Sequence, residues 1–124
     1  MKWLLIALFS LPCIADWQDW NKTDKLLWKT NLVLDVLDAS QAYDMIDCQN
    51  NNPNCVYVEK NPVFGERPKI ENILIGKVVG NIILYQVLDN FPESRRTGLI
   101  LSNGIKCYVV INNNNIGLNF RFNF

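Results

Sequence analysis

The side chains of this sequence that could do chemistry are mainly carboxylates, because histidine is absent. That removes the commonest general base near neutral pH and the commonest transition-metal ligand. Asp35, Asp38, Glu59 and Glu66 are the candidates. Asp35 and Asp38 lie three apart and share one helical face, where they could share a proton or bind a cation. The competing reading makes them the solvated side of an amphipathic helix. No Ser, Cys or Lys nucleophile is accompanied by a recognisable base. The expectation is therefore a non-enzymatic protein, with no catalytic residue, metal ligand set or cofactor assigned.

The cysteines depend on compartment. Met1 and Lys2 make a basic start, Trp3 to Leu11 is an apolar run too short to span a bilayer, and Cys13-Ile14-Ala15 offers small residues for cleavage. The expectation is a signal peptide over 1–15, removed after Ala15. Acylation of Cys13 and an uncleaved anchor are the alternatives. Export would let Cys48 and Cys55, which flank a segment of turn formers, close into a disulfide. Zinc competes for the two thiols, but without histidine they do not complete a tetrahedral site. Cys107 sits in an apolar run and reads as a small buried hydrophobe.

These residues need elements to hold them. With 124 residues the chain makes one domain, over 16–124 once a leader is removed. Lys and Arg total 12 and Asp and Glu total 12, so no footprint for nucleic acid appears. Thr23 is the expected N-cap of a helix over 23–46, with Leu32, Val36, Ala39, Tyr43 and Ile46 as its apolar stripe. Asn50 to Pro68 reads as a polar connection.

Helices over 70–89 and 92–112 follow, apolar almost all round, with Pro92 in a first turn. Their lengths match a hydrocarbon core, so they are expected to form a helical hairpin in the lipid bilayer. Lys77 and Lys106 interrupt them at similar depth and are expected to snorkel to the interface. Gly76 and Gly80, with Gly98 and Ser102 opposite, form small-residue rows of the kind that let lipid-buried helices approach. A soluble three-helix bundle is the alternative.

The end of the chain, 116–124, alternates apolar and polar residues with the period of a strand. A monomeric barrel is excluded, since no series of strands precedes it. A short tail packed on the helices, or lying in the interface, is the alternative. The expected fold class is thus all-α, three helices with an extended C-terminal tail.

Ala15-Asp16-Trp17, Asp38-Ala39-Ser40-Gln41, Glu59 to Pro68 and the closing Gly117-Leu118-Asn119-Phe120 together carry a resemblance. The chain resembles a family of small uncharacterised exported membrane proteins encoded by bacteriophages and prophages. It departs from that pattern by lacking a histidine in the second helix and by inserting the Cys48–Cys55 loop. The resemblance implies a helical membrane protein in which Asp38, Gln41, Glu59 and Asn61 form one polar cluster, either a clasp or a binding site. By analogy, such a protein would sit in the cell envelope, at the inner membrane with periplasmic portions. It would act by contact with another envelope protein, in superinfection exclusion or lysis modulation. The alternative is a small-ligand or cation binder using that cluster. The cost of carrying Asp35 and Asp38 into lipid favours two spans with an exposed first helix, whereas the polar cluster that the resemblance implies would need the first helix inserted as well.

Overall fold

A computed structural model describes residues 17–59, 63–65 and 67–121. Within them lie a 3-10 turn, Trp17–Asp19, and three helices: α1 (Lys22–Asn51), α2 (Ile70–Asn90) and α3 (Pro92–Asn115). The all-α expectation holds, and no strand occurs among the described residues. The expected leader over 1–15 lies outside them.

The cap of α1 is Asn21 rather than the expected Thr23: its side-chain oxygen accepts the Asp24 N–H at 2.9 Å, and Thr23 falls inside the first turn. The helix also runs past 46. Asn51 donates to Asp47 one turn back at 2.9 Å, and Pro53 follows the C-cap Asn52. Pro53 disfavours helical geometry at the residue before it, which sets the stop. Cys48 therefore belongs to the last turns of the helix, and the Cys48–Cys55 disulfide ties that turn to the chain beyond the Asn52–Asn54 bend.

Pro92 occupies the start of α3, where its missing N–H costs nothing. The asparagine run 112–115 is helical, so α3 runs past its expected end at 112. It ends because Gly117 adopts φ 102°, letting the Gly117 and Leu118 N–H groups bond back to the Asn114 and Asn113 carbonyls at 3.1 and 3.0 Å. A Cβ at Gly117 would also lie 2.7 Å from the Tyr57 hydroxyl, which donates to the Ile116 carbonyl at 3.2 Å. Gly117→Ala is expected to cost about 1–2 kcal/mol through the left-handed backbone alone. A lowered thermal midpoint with faster protease cleavage after Leu118 would register it.

The tail is not a strand in its described part. Leu118 enters the core beside Met45, while Phe120 is exposed. With no partner strand, the tail's N–H groups take side-chain acceptors. Asn119 N–H bonds Asp44 at 2.8 Å and Arg121 N–H bonds Ser40 at 2.6 Å. The Arg121 guanidinium pairs with Asp44 and, at 3.0 Å, with Asp47.

α1 and α3 lie side by side and run parallel, from Asp24–Arg96 at one end to Gln41–Val110 toward the other. α2 is antiparallel to α1, its Asn81 meeting Asp35 and its Lys77 meeting Asp38. The dominant interface is α1 with α3, not α2 with α3 as a self-contained pair would require. Two apolar cores cap the bundle. One gathers Ala39, Met45, Ile70, Leu74 and Leu118; the other gathers Trp20, Trp28, Leu32, Tyr85, Leu88 and Leu99.

The small-residue rows pack differently from expectation. A Cβ on Gly76 would strike the Phe64 ring at 2.6 Å, and one on Gly98 would strike Leu88 at 2.7 Å. At Gly80 it would meet nothing within 4 Å. Ser102 accepts from Asn31 of α1 at 2.7 Å. Of these four residues, only Gly98 faces the neighbouring apolar helix, at Leu88. Cys107 is exposed rather than buried, on the outward side of α3.

Candidate functional site

Between the two apolar cores the interior is ionic. Trp28, Asn31, Asp35, Ala39 and Ala42 recur at helical spacing and are all buried, so the inner stripe of α1 carries polar side chains in its middle. Asp35 is 3% exposed. It cannot be a solvated acid, so the solvated-face reading fails for it.

Lys106 of α3 reaches Asp35 Oδ2 at 2.6 Å and the Asn31 side-chain Oδ1 at 2.6 Å. Asn81 of α2 donates to the same Asp35 oxygen at 2.7 Å. Lys77 of α2 bonds Asp38 and stands 3.7 Å from Asp35 Oδ1. Asn113 donates to Asp38 Oδ1 at 3.0 Å and to Gln41 Oε1 at 3.2 Å, and Gln41 donates to the Val110 carbonyl at 2.9 Å. The result is one connected chain of polar groups along α1. Its two lysines and two aspartates sum to zero charge.

Both lysines thus point inward, against the snorkelling expectation. Carboxylates lie at their own level on α1, and a buried charge with a direct partner and further hydrogen bonds is far cheaper than an unpartnered one.

Of the cluster implied by the resemblance, Asp38 and Gln41 come together through Asn113. Glu59 lines a neighbouring cavity, and Asn61 lies outside the described residues. That cavity holds about 550 Å³ and has Asp38, Glu59 and Lys77 beside Tyr57, Phe64 and Tyr108. Asn31, Lys77, Asn81, Lys106 and Asn113 were missed as partners. Lys77 and Lys106 were visible as charges inside apolar runs, and that signal could have paired them with Asp35 and Asp38. Nothing in the spacing of Asn31, Asn81 or Asn113 marks them. Among the described residues, no group of three metal-ligating side chains occurs.

The outside of the bundle reverses the usual polarity. Ile75, Val79, Ile82, Ile83 and Val87 of α2 are exposed, as are Ile100, Leu101, Ile105, Tyr108 and Ile111 of α3. Between Glu71 and Asp89 of α2, and between Arg96 and Arg121, the only charges are Lys77 and Lys106. Charged and aromatic groups gather at the two ends instead. At one, Trp20 stacks on Tyr85 at 4.9 Å, Arg95 lies over Trp20 at 4.5 Å, and Trp20 donates to Asp89 at 2.9 Å. There Arg96 also pairs with Asp24 at 3.0 Å. At the other end stand Asp44, Asp47, Arg67 and Arg121. By length and composition α2 is able to cross a membrane, and among the described helices it alone meets that measure.

No family model, curated protein or solved structure matches the chain.

Proposed function

We propose that the protein is a non-enzymatic membrane component of the cell envelope, of phage or prophage origin, that acts by contact with another membrane protein. The observation that carries the membrane reading is the inverted polarity: paired charges inside, aliphatic side chains outside. Monomers in water rarely expose contiguous apolar faces of this extent, whereas in lipid ionisable groups face the bundle interior and pair with one another. The ionic cluster then acts as a clasp, holding α1 to α2 and α3. Exclusion of a second phage and modulation of lysis both suit such a protein, by analogy with small envelope proteins.

Fractionation tests the membrane reading. The protein should stay with membranes through an alkaline carbonate wash and dissolve only in detergent; release by carbonate would refute it. Phage challenge of expressing cells tests the role. Protection supports exclusion, early lysis supports lysis control, and an unchanged infection course counts against both.

A second reading, a cation or small-ligand binder, is favoured by the cavity beside Asp38 and Glu59. It ranks lower because both Asp38 oxygens already hold partners, Lys77 and Asn113. Calorimetric binding of a divalent cation, lost in Asp38→Asn, would raise it above the contact role.

A further inference from the structure

We infer that α1 crosses the bilayer together with α2 and α3, and that the Cys48–Cys55 end of this three-span bundle faces the oxidising side. This rests on the membrane reading above and goes beyond it, since among the described helices only α2 qualifies as a span by length and composition.

The charges supply the first part. Alone in lipid, Asp35, Asp38 and the two lysines would each be costly to insert. Each group's counter-charge lies on a neighbouring helix at the same level. A bilayer holding only α2 and α3 would leave Lys77 and Lys106 without those acids. Nor can α1 lie elsewhere while keeping its contacts. It runs beside α3 from Asp24–Arg96 through Asn31–Ser102 to Gln41–Val110, so it occupies the same depth.

The outward side of α1 agrees. Between Lys29 and Asp44 its only charges are Asp35 and Asp38, both directed into the cluster. Val33 is exposed there, and Leu34, Val36 and Leu37 are partly so. At about 1.5 Å per residue this stretch, with no outward-facing charge, covers roughly 21 Å. The corresponding stretch of α2, from Asn72 to Leu88, covers roughly 25 Å by the same rise. A hydrocarbon core of about 30 Å accommodates both, with flanking lysines reaching outward and modest thinning.

The disulfide supplies the second part. One crossing separates Lys22 from Cys48, so the ends of α1 lie in different compartments. A structural disulfide persists on the oxidising side. The end formed by Trp17–Lys29 and Asp89–Arg96 then faces the reducing side. Among the described residues, Lys22, Lys25, Lys29, Arg95 and Arg96 gather there, against Arg67, Lys69 and Arg121 at the other end. That small excess agrees in sign with the positive-inside rule. Residues 1–15 consequently remain attached on the reducing side, in place of the cleavage expected after Ala15.

Thiol mapping in bacterial spheroplasts tests this. The background is Cys13→Ser with Cys107→Ser, keeping the native disulfide. Single cysteines replace Thr23, Asn54 or Ser94, which are all exposed. With a membrane-impermeant maleimide, Asn54→Cys should label before lysis, and Thr23→Cys and Ser94→Cys only after it. Labelling of Thr23→Cys and Asn54→Cys but not Ser94→Cys would leave α1 outside and overturn the third span. Labelling of Thr23→Cys and Ser94→Cys but not Asn54→Cys would overturn the orientation. If all three label before lysis and carbonate releases the protein, the membrane reading itself fails. Mass spectrometry of the wild-type chain should find Lys2 retained; a mature start at Asp16 would overturn the orientation.

Discussion

Asp35→Leu should lower the free energy of unfolding by about 3–5 kcal/mol, the range for removing one partner of a buried ion pair. Among the described residues, Asp35 is the only carboxylate within bonding distance of Lys106, and Lys77 lies 3.7 Å from its other oxygen. Without it Lys106 keeps only amide oxygens, Asn31 at 2.6 Å and Asn81 at 3.4 Å. The Asn81 amide loses its acceptor as well. Equilibrium unfolding of the detergent-solubilised protein by increasing sodium dodecyl sulfate reads the loss. The double variant Asp35→Leu/Lys106→Met should recover more than half of it, because Lys77 and Asp38 remain a neutral pair. Replacing a complete buried pair by apolar groups is often nearly neutral, whereas orphaning one member is not. Equal destabilisation of the single and double variants would show that charge complementarity does not hold the cluster together.

The second large effect is expected at the aromatic end. Trp28 is completely buried, with its ring edge-on to Tyr85 at 5.2 Å and to Trp20 at 6.0 Å. Trp28→Ala should cost about 3–5 kcal/mol through lost packing and the cavity left behind. Roughly 0.5–1.5 kcal/mol of that belongs to each aromatic pair. Since Trp20 and Tyr85 also meet each other, part of the stack would survive, and Trp28→Phe should fall between the wild type and alanine. Leu26→Ala, at a site 63% exposed, should stay within about 0.5 kcal/mol. Thermal midpoints in one detergent compare the three. A Trp28→Ala midpoint matching that of Leu26→Ala would mean that this end does not stabilise the bundle.

Much of the fold was legible along the chain. The apolar runs from Ile70 and from Pro92, the turn between them, and the Cys48–Cys55 pairing depend on neighbours close in sequence. Helix periodicity, proline geometry and short loop closure act over a few residues. The ends of α1 and α3 were misjudged for an equally local reason. Runs such as Asn50–Asn52 and Asn112–Asn115 read as turn formers, yet Asn51 is tied back to Asp47, and Gly117 rather than asparagine provides the stop. The tail's alternation was real in the sequence, but a strand needs a partner, and the nearest acceptors were Asp44 and Ser40.

By itself the sequence determined three helices, a polar insertion with a disulfide, and ionisable residues inside apolar stretches. Only the tertiary structure decided where those charges go. Asp35 and Asp38 lie more than a whole helix away in sequence from Lys77 and Lys106, and no local spacing brings them together. What does is the packing of α1 against both partners, parallel to α3 and antiparallel to α2. That arrangement matches each cation to an anion at one level, because a charge removed from water is tolerable only beside its opposite. The same packing turns the aliphatic faces outward, and that inversion is what supports the proposed membrane reading.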